Sequence, residues 1–483
     1  MPLALSGVAC ARGQADLTTA TTRPLPIPPL SRGRVGVDGV RRFELAAQRG
    51  TTEILPGTST ATWGYNGSIL GPTLSARRGE QVAFTITNNL PEPTTVHWHG
   101  MRVPARYDGG PHQTIAPGAT WSPEWTVDQQ AATLWYHPHP HGSTEKHVNR
   151  GLAGLFLIGD DVADGLDLPQ RYGVDDIPLV IADRRFTSDG SLDETDDSRY
   201  GLLGDTITTN GIAGAHLSVS TERVRLRVLN GSSSRLFNLA RSDDRPFDLI
   251  ATDGGLLAKP LSLRRVQLSP GERAEIVLEL RAGQTVDLRS LAIEPREGLS
   301  DPATFGFDDT FDILTLRAEP TLTASPALPD TLATIAPLAD VTAEVNRSFE
   351  LQWYMINGQR MDMNRIDLVI PVDSTEVWSI RNADNWPHNF HVHDVQFQVI
   401  GVDGRTPPPH LSGWKDTVYT EPGRTYTVAM RFSGHADPTN PYMYHCHLLH
   451  HEDQGMMGQF LVVAPGQQPA PMPMGGTDSG HGH

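Results

Sequence analysis

Near its C-terminus the chain places His445, Cys446 and His447 in succession, with His451 five residues and Met456 ten residues beyond the cysteine. Successive side chains of an extended segment face opposite ways, so Cys446 would point to one side and His445 and His447 to the other. One short stretch can then touch two centres. Thiolate, imidazole and thioether are the ligand types of a blue-copper electron-transfer site, which takes two His, one Cys and a weak axial Met. The second imidazole must come from elsewhere in the chain, and His388 is the candidate. Histidines two apart recur as His97/His99, His137/His139, His391/His393 and His445/His447. Such pairs share a strand face about 7 Å apart. Eight imidazoles exceed the four ligands of a tetrahedral zinc and suit a small copper cluster.

Taken together, these four segments resemble the multicopper oxidases, the family of laccases and cuprous oxidases, with motifs spread along the chain. The resemblance implies four copper ions. His388, Cys446, His451 and Met456 would hold the type 1 copper, and His97 and His391 the type 2 copper. His99, His137, His139, His393, His445 and His447 would hold the type 3 pair. It also implies that a donor gives up electrons one at a time at an exposed edge of His451, that they pass through the Cys446 backbone to His445 and His447, and that O2 is reduced to water. Asp108 and Glu452 match acidic positions credited in bacterial members with proton delivery, which O2 reduction requires. His141 and His450 stand beside expected ligands and are candidates for orienting them.

Several substrates fit this ligand set. Phenol and aromatic amine oxidation, the laccase reaction, is favoured because no specialised insertion is visible. Cu(I) oxidation is the alternative. The cuprous oxidases it resembles carry a long Met-rich insertion, whereas this chain has Met361-Asp362-Met363 and the tail residues Met472, Met474, His481 and His483. A non-enzymatic copper-binding protein is the reading from another class. The expected partners are a small-molecule or metal-ion reductant and O2, with the chain a monomer.

The elements that must position these residues are strands. Residues 81–88, 224–230 and 376–382 alternate apolar and polar side chains, the mark of a half-buried strand. Each run is followed by a Pro-Gly turn, at Pro117-Gly118, Pro270-Gly271 and Pro422-Gly423, with forty residues from Asn230 to Pro270 and again from Asn382 to Pro422. This is an internal repeat of a β-sandwich unit. The expected fold is all-β, with three cupredoxin-like Greek-key sandwiches over residues 41–160, 161–320 and 342–465. After Asn230 the repeat carries Ser232 to Leu239 with no histidine. The middle unit is therefore expected to bind no copper, and the outer two to meet at the cluster.

The formal net charge of −17 over 483 residues disfavours nucleic acid and anionic membranes as partners. No apolar run is long enough for a transmembrane helix. Of the two cysteines, one is a candidate ligand, so no intrachain disulfide is expected. Residues 1–40 read as a leader or extension whose apolar start resembles the end of an export signal. Cys10 would be a lipid-anchor position, although Gly7 stands where a larger aliphatic is usual. A periplasmic or extracellular location follows. Residues 466–483, rich in Pro, Gly and Met, read as a disordered tail.

Overall fold

The computed structural model describes residues 22–470 except 196 and 197. Cys10, Met472, Met474, His481 and His483 lie outside them. Six sheets of five to seven strands enclose three large apolar cores, one within each of three successive sandwiches. Among the described residues no helix is long and apolar enough to cross a membrane.

Each of the three repeated runs sits inside its sheet. Gln81–Asn88 pairs in parallel with Arg41–Thr52, Arg223–Asn230 with Asp176–Arg184, and Thr375–Asn382 with Arg347–Gln352. Exposure along Gln81–Asn88 alternates as expected. The other two runs are more continuously buried.

The asparagine that ends each run explains why the repeat is so regular. Asn88, Asn230 and Asn382 are fully buried, and in each the side-chain amide donates two hydrogen bonds to carbonyls. The acceptors are Glu92 and Ile115, then Arg235 and Leu268, then Trp386 and Thr420. Each side-chain oxygen accepts from the backbone N–H two residues on. The asparagine carbonyl accepts from the glycine of the Pro-Gly turn, whose φ of +77°, +85° or +76° is the left-handed conformation that glycine adopts without steric cost. The same staple thus fixes the start of the loop that carries His388 in the third sandwich and of the His-free loop in the second.

Residues 23–35, within the expected leader or extension of residues 1–40, supply three short strands. Arg23–Pro24 joins a sheet of the second sandwich, while Leu30–Ser31 and Arg34–Val35 join the two sheets of the first. At the other end of the chain Ala470 N–H donates to the Pro438 carbonyl.

Because Asn230 carries the staple where no candidate ligand lies, Asn230→Ala isolates its structural role. Leaving its two carbonyl acceptors unpaired in the core should cost about 2 kcal/mol, read as a lower denaturant midpoint.

Candidate metal centre

Two pairs of neighbouring strands bring the histidines together. In the first sandwich the edge strand His97–His99 pairs with Ala132–His137, setting His97 opposite His137. In the third, His388–Val392 pairs with Asp437–His445, setting His391 opposite His445. The sheets meet so that His97 stacks on His393 and His99 on His391, each with ring centroids 3.8 Å apart. His139 and His393 each place Nε2 3.2 Å from Nε2 of His445. His447, just past the strand end, lies against His99 and His137. All eight rings are at most 1% exposed.

Hydrogen bonds decide which nitrogen of each ring faces inward. A carbonyl can only accept, so Nδ1 carries the proton in His97, His137 and His391, which donate to the carbonyls of Asp108, Pro138 and Asp416 at 2.8–2.9 Å. Their Nε2 atoms are buried with no protein partner. His393 Nδ1 bonds Asp108 Oδ2 at 2.7 Å. His99 is turned round: its Nε2 lies 2.9 Å from Asp416 Oδ1, and its Nδ1 is the partnerless atom. His445 Nδ1 donates to the Cys446 carbonyl at 3.1 Å, and the Glu452 carboxyl lies between two rings, with Oε1 and Oε2 each 3.2 Å from Nδ1 of His139 and His445. Buried polar atoms without partners are rare in native proteins, and paired metal-binding imidazoles show this one-sided pattern.

Cys446 turns to a second cluster. Its Sγ lies 3.6 Å from His451 Nδ1 and 3.7 Å from His388 Nδ1, and those nitrogens are 3.1 Å apart. Met456 is fully buried in the same core cluster as Cys446, and its carbonyl accepts from Cys446 N–H at 3.1 Å. His388 Nε2 lies 3.4 Å from Asp384 Oδ2. The exposed edge expected of His451 is absent: its ring is fully buried. Tyr200, Tyr354 and Trp386 pack around it at 5.4–6.0 Å, from the loops that precede Thr206–Thr209 and follow Arg347–Gln352 and Thr375–Asn382.

Electrostatics suit a cation that accepts lone pairs. Burial, and then the neighbouring histidines, hold His99, His139, His391 and His393 well below the usual imidazole range. Burial likewise takes His445 down to about 3. The rings are neutral and their lone pairs free. Burial pushes the Cys446 thiol up to about 12, so a metal binding there must displace its proton. Glu452 is raised well above the usual carboxylate range, again chiefly by burial.

Profiles of multicopper oxidase domains match residues 46–162 and 330–466, the two outer sandwiches that supply every candidate ligand. The chain belongs to the multicopper oxidase family. It is 37% identical to the multicopper oxidase mco of Staphylococcus aureus, over 88% of this chain and 89% of that protein. It is 34% identical to the cell division protein FtsP of Escherichia coli strain K12, over 95% and 97%. The crystal structure of a laccase from Pediococcus acidilactici superposes with a TM-score of 0.83 at 35% identity, covering 92% of this chain and 94% of that one. Family membership implies copper, and this multicopper oxidase has the donor set for it: buried neutral imidazoles with inward lone pairs, and a thiol.

Some contacts had no signature in the sequence. Asp416 and Thr417 hold His99 and His391, Asn389 accepts from His447 N–H, and Asp384 touches His388. None sits at a motif spacing except Asp384, four residues before His388. Asp453 accepts from the N–H groups of Thr144 and Glu145. It thereby ties the first helix of the outer sandwich to the His451 helix. His450 pairs with Glu145 at 3.5 Å, and His141 is exposed.

These shifts fix the pH response of the copper-free protein. An imidazole whose folded pKa lies below 6.5 takes up its proton on unfolding, so its contribution to stability is present above pH 6.5 and is lost as pH falls toward the folded value. That value is about 3 for His445. Each such proton adds a slope of about 1.4 kcal/mol per pH unit. Cys446, raised from 9 to about 12, works in the other direction, its contribution fading as pH rises through that window. Unfolding midpoints of the copper-free protein should therefore peak between pH 6.5 and 9 and fall steeply on the acid side. A flat acid limb would mean that the rings are not buried together.

Proposed function

We propose that this multicopper oxidase is a laccase-type enzyme, which removes electrons singly from phenols and aromatic amines and reduces O2 to water. The observation that carries the reading is the joining of two buried ligand clusters by the contiguous residues His445, Cys446 and His447. When bound, four copper ions would accept single electrons at His388, Cys446, His451 and Met456 and deliver four to O2 at the histidine cluster. In that cluster His97 and His391 would hold the type 2 ion. His99, His137 and His447 would hold one type 3 ion, and His139, His393 and His445 the other.

The chain's own residues supply the rest. The peptide from Cys446 to its two neighbours is the shortest covalent link between the clusters. Asp108 fixes the His393 ring through Nδ1 and the His97 ring through its carbonyl. Its carboxylate would pass protons inward, a reading supported by its contact with His393. Glu452, kept protonated by burial, holds a proton beside His139 and His445 and receives the Thr144 hydroxyl hydrogen bond at 2.7 Å. Because His451 is buried, an aromatic donor would dock on the rings that cover it. Trp386 lies 6.0 Å from His451, and Trp353, 50% exposed, lies 5.9 Å from Trp386. Such a surface favours planar aromatic donors through stacking.

Cuprous oxidation is the second reading. The Met361 N–H donates to the Gly455 carbonyl at 2.8 Å, so Met361-Asp362-Met363 runs beside Met456. A copper-binding role without turnover is the third; the similarity to a cell division protein shows that the scaffold is not confined to proteins named as oxidases.

O2 uptake by the copper-loaded protein with a phenol and with Cu(I) separates the three. The laccase reading expects faster uptake with the phenol, no released peroxide, and loss of the intense visible band in Cys446→Ser. Faster uptake with Cu(I) would assign the cuprous oxidase, and uptake with neither would leave only the non-enzymatic role. Trp386→Leu should lower kcat/KM for the phenol about threefold to tenfold without altering the visible band. An unchanged value would remove the aromatic docking surface.

A further inference from the structure

The middle sandwich carries no candidate ligand, yet its Pro-Gly turn reaches the centre of the site. Gly271 packs on His447 so closely that a Cβ there would stand 3.0 Å from the ring. The Ser269 hydroxyl and Pro270 carbonyl accept from the Asn389 amide, and the Asn389 oxygen accepts from His447 N–H. Two residues past the turn comes Arg273, 1% exposed.

A guanidinium has five N–H donors in a planar fork, and Arg273 uses all five. Nε donates to the Thr133 carbonyl of the first sandwich at 3.0 Å. Nη1 and Nη2 each donate once within the middle sandwich, to the carbonyls of Gly271 and Asp253 at 2.9 Å. Their other protons grip both oxygens of Asp416 in the third sandwich, at 2.7 and 2.5 Å. Asp416 in turn holds the two stacked rings: His99 through Oδ1 and His391 through its carbonyl. The pair passes so close to the backbone beside His99 that a Cβ on Gly100 would lie 2.4 Å from Asp416 Oδ2 and 2.7 Å from Arg273 Nη2.

We propose that Arg273 is a positioning residue of the copper cluster, through which the ligand-free domain sets the geometry of His99 and His391. The inference rests on the proposed copper binding by these rings. The fork orients the Asp416 carboxylate, and the carboxylate accepts the hydrogen bond of His99 Nε2–H. This is what turns His99 round so that Nδ1, rather than Nε2, faces the cluster. One side chain thereby links all three sandwiches at the place where the outer two must agree in register. Lysine would keep the charge but could not reproduce the bidentate grip or the three carbonyl contacts.

The test compares wild type, Arg273→Lys and Arg241→Lys as full-length proteins loaded with cupric ion. Arg241 is a matched control in the same sandwich, a buried guanidinium paired with Asp243 and touching no candidate ligand. Copper per chain, the electron paramagnetic resonance of the cluster, the Cys446 visible band and thermal unfolding are read together. Arg273→Lys should weaken cupric binding at the cluster by roughly 10- to 100-fold and alter its resonance signal while keeping the Cys446 band, and Arg241→Lys should change neither. Equal loading and unchanged resonance in Arg273→Lys, or equal losses in both variants, would overturn the proposal. If Arg273→Lys does not fold, Asp416→Asn is read by the same criteria, since it keeps the shape and one acceptor while removing the charge that the fork grips. A wild type that takes up no cupric ion would overturn the copper reading itself, and the clamp with it.

Discussion

A buried imidazole cannot leave both ring nitrogens unsatisfied without a large desolvation cost, and this chain buries ten of its candidate imidazoles at two adjoining sites. One nitrogen of most rings is therefore bound to a carbonyl or carboxylate, which commits the other to the interior. Asp108, Pro138, Asp416 and the Cys446 carbonyl are among the acceptors that enforce this. They come from different sandwiches, so the orientation of the rings and the docking of the domains are one problem with one solution.

The repeated architecture supplies the rigidity that such a solution needs. The buried asparagine and Pro-Gly turn of each unit hold a loop at the same end of its sandwich, and the three units put that common loop to different uses. In the third it presents His388 and the strand carrying His391. In the second the Ser233 carbonyl accepts from Leu449 N–H of the His451 helix, and the turn presses Gly271 on His447. The domain without ligands is thus a wall of the metal centre and not a spacer between the other two.

Burial of His451 changes the reading of how a reductant meets the protein. Three aromatic rings pack over it, so under the laccase proposal a donor would meet Trp386 and the half-exposed Trp353 instead. A surface of this kind discriminates by shape and stacking. The Cys446 site below it is fully buried, and a low-dielectric setting strengthens electrostatic interactions inside.

The candidate ligands that the structure gathers into two buried clusters were legible in the sequence. Ligand types and two-residue spacings are properties of neighbouring residues on a strand, and the Asn-to-Pro-Gly period repeats along the chain. The all-β class and the absence of ligands from the middle unit follow from the same local patterns. Tertiary structure alone decided which nitrogen each ring presents, that His451 is covered, that residues 23–35 belong to the sheets, and that Arg273 and Asp416 stand behind His99. Those facts depend on partners such as Arg273 and Asp416, or His99 and Asp416, which are 143 and 317 residues apart. No spacing rule connects such residues, because only the packing of three separate sandwiches brings them within hydrogen-bonding distance.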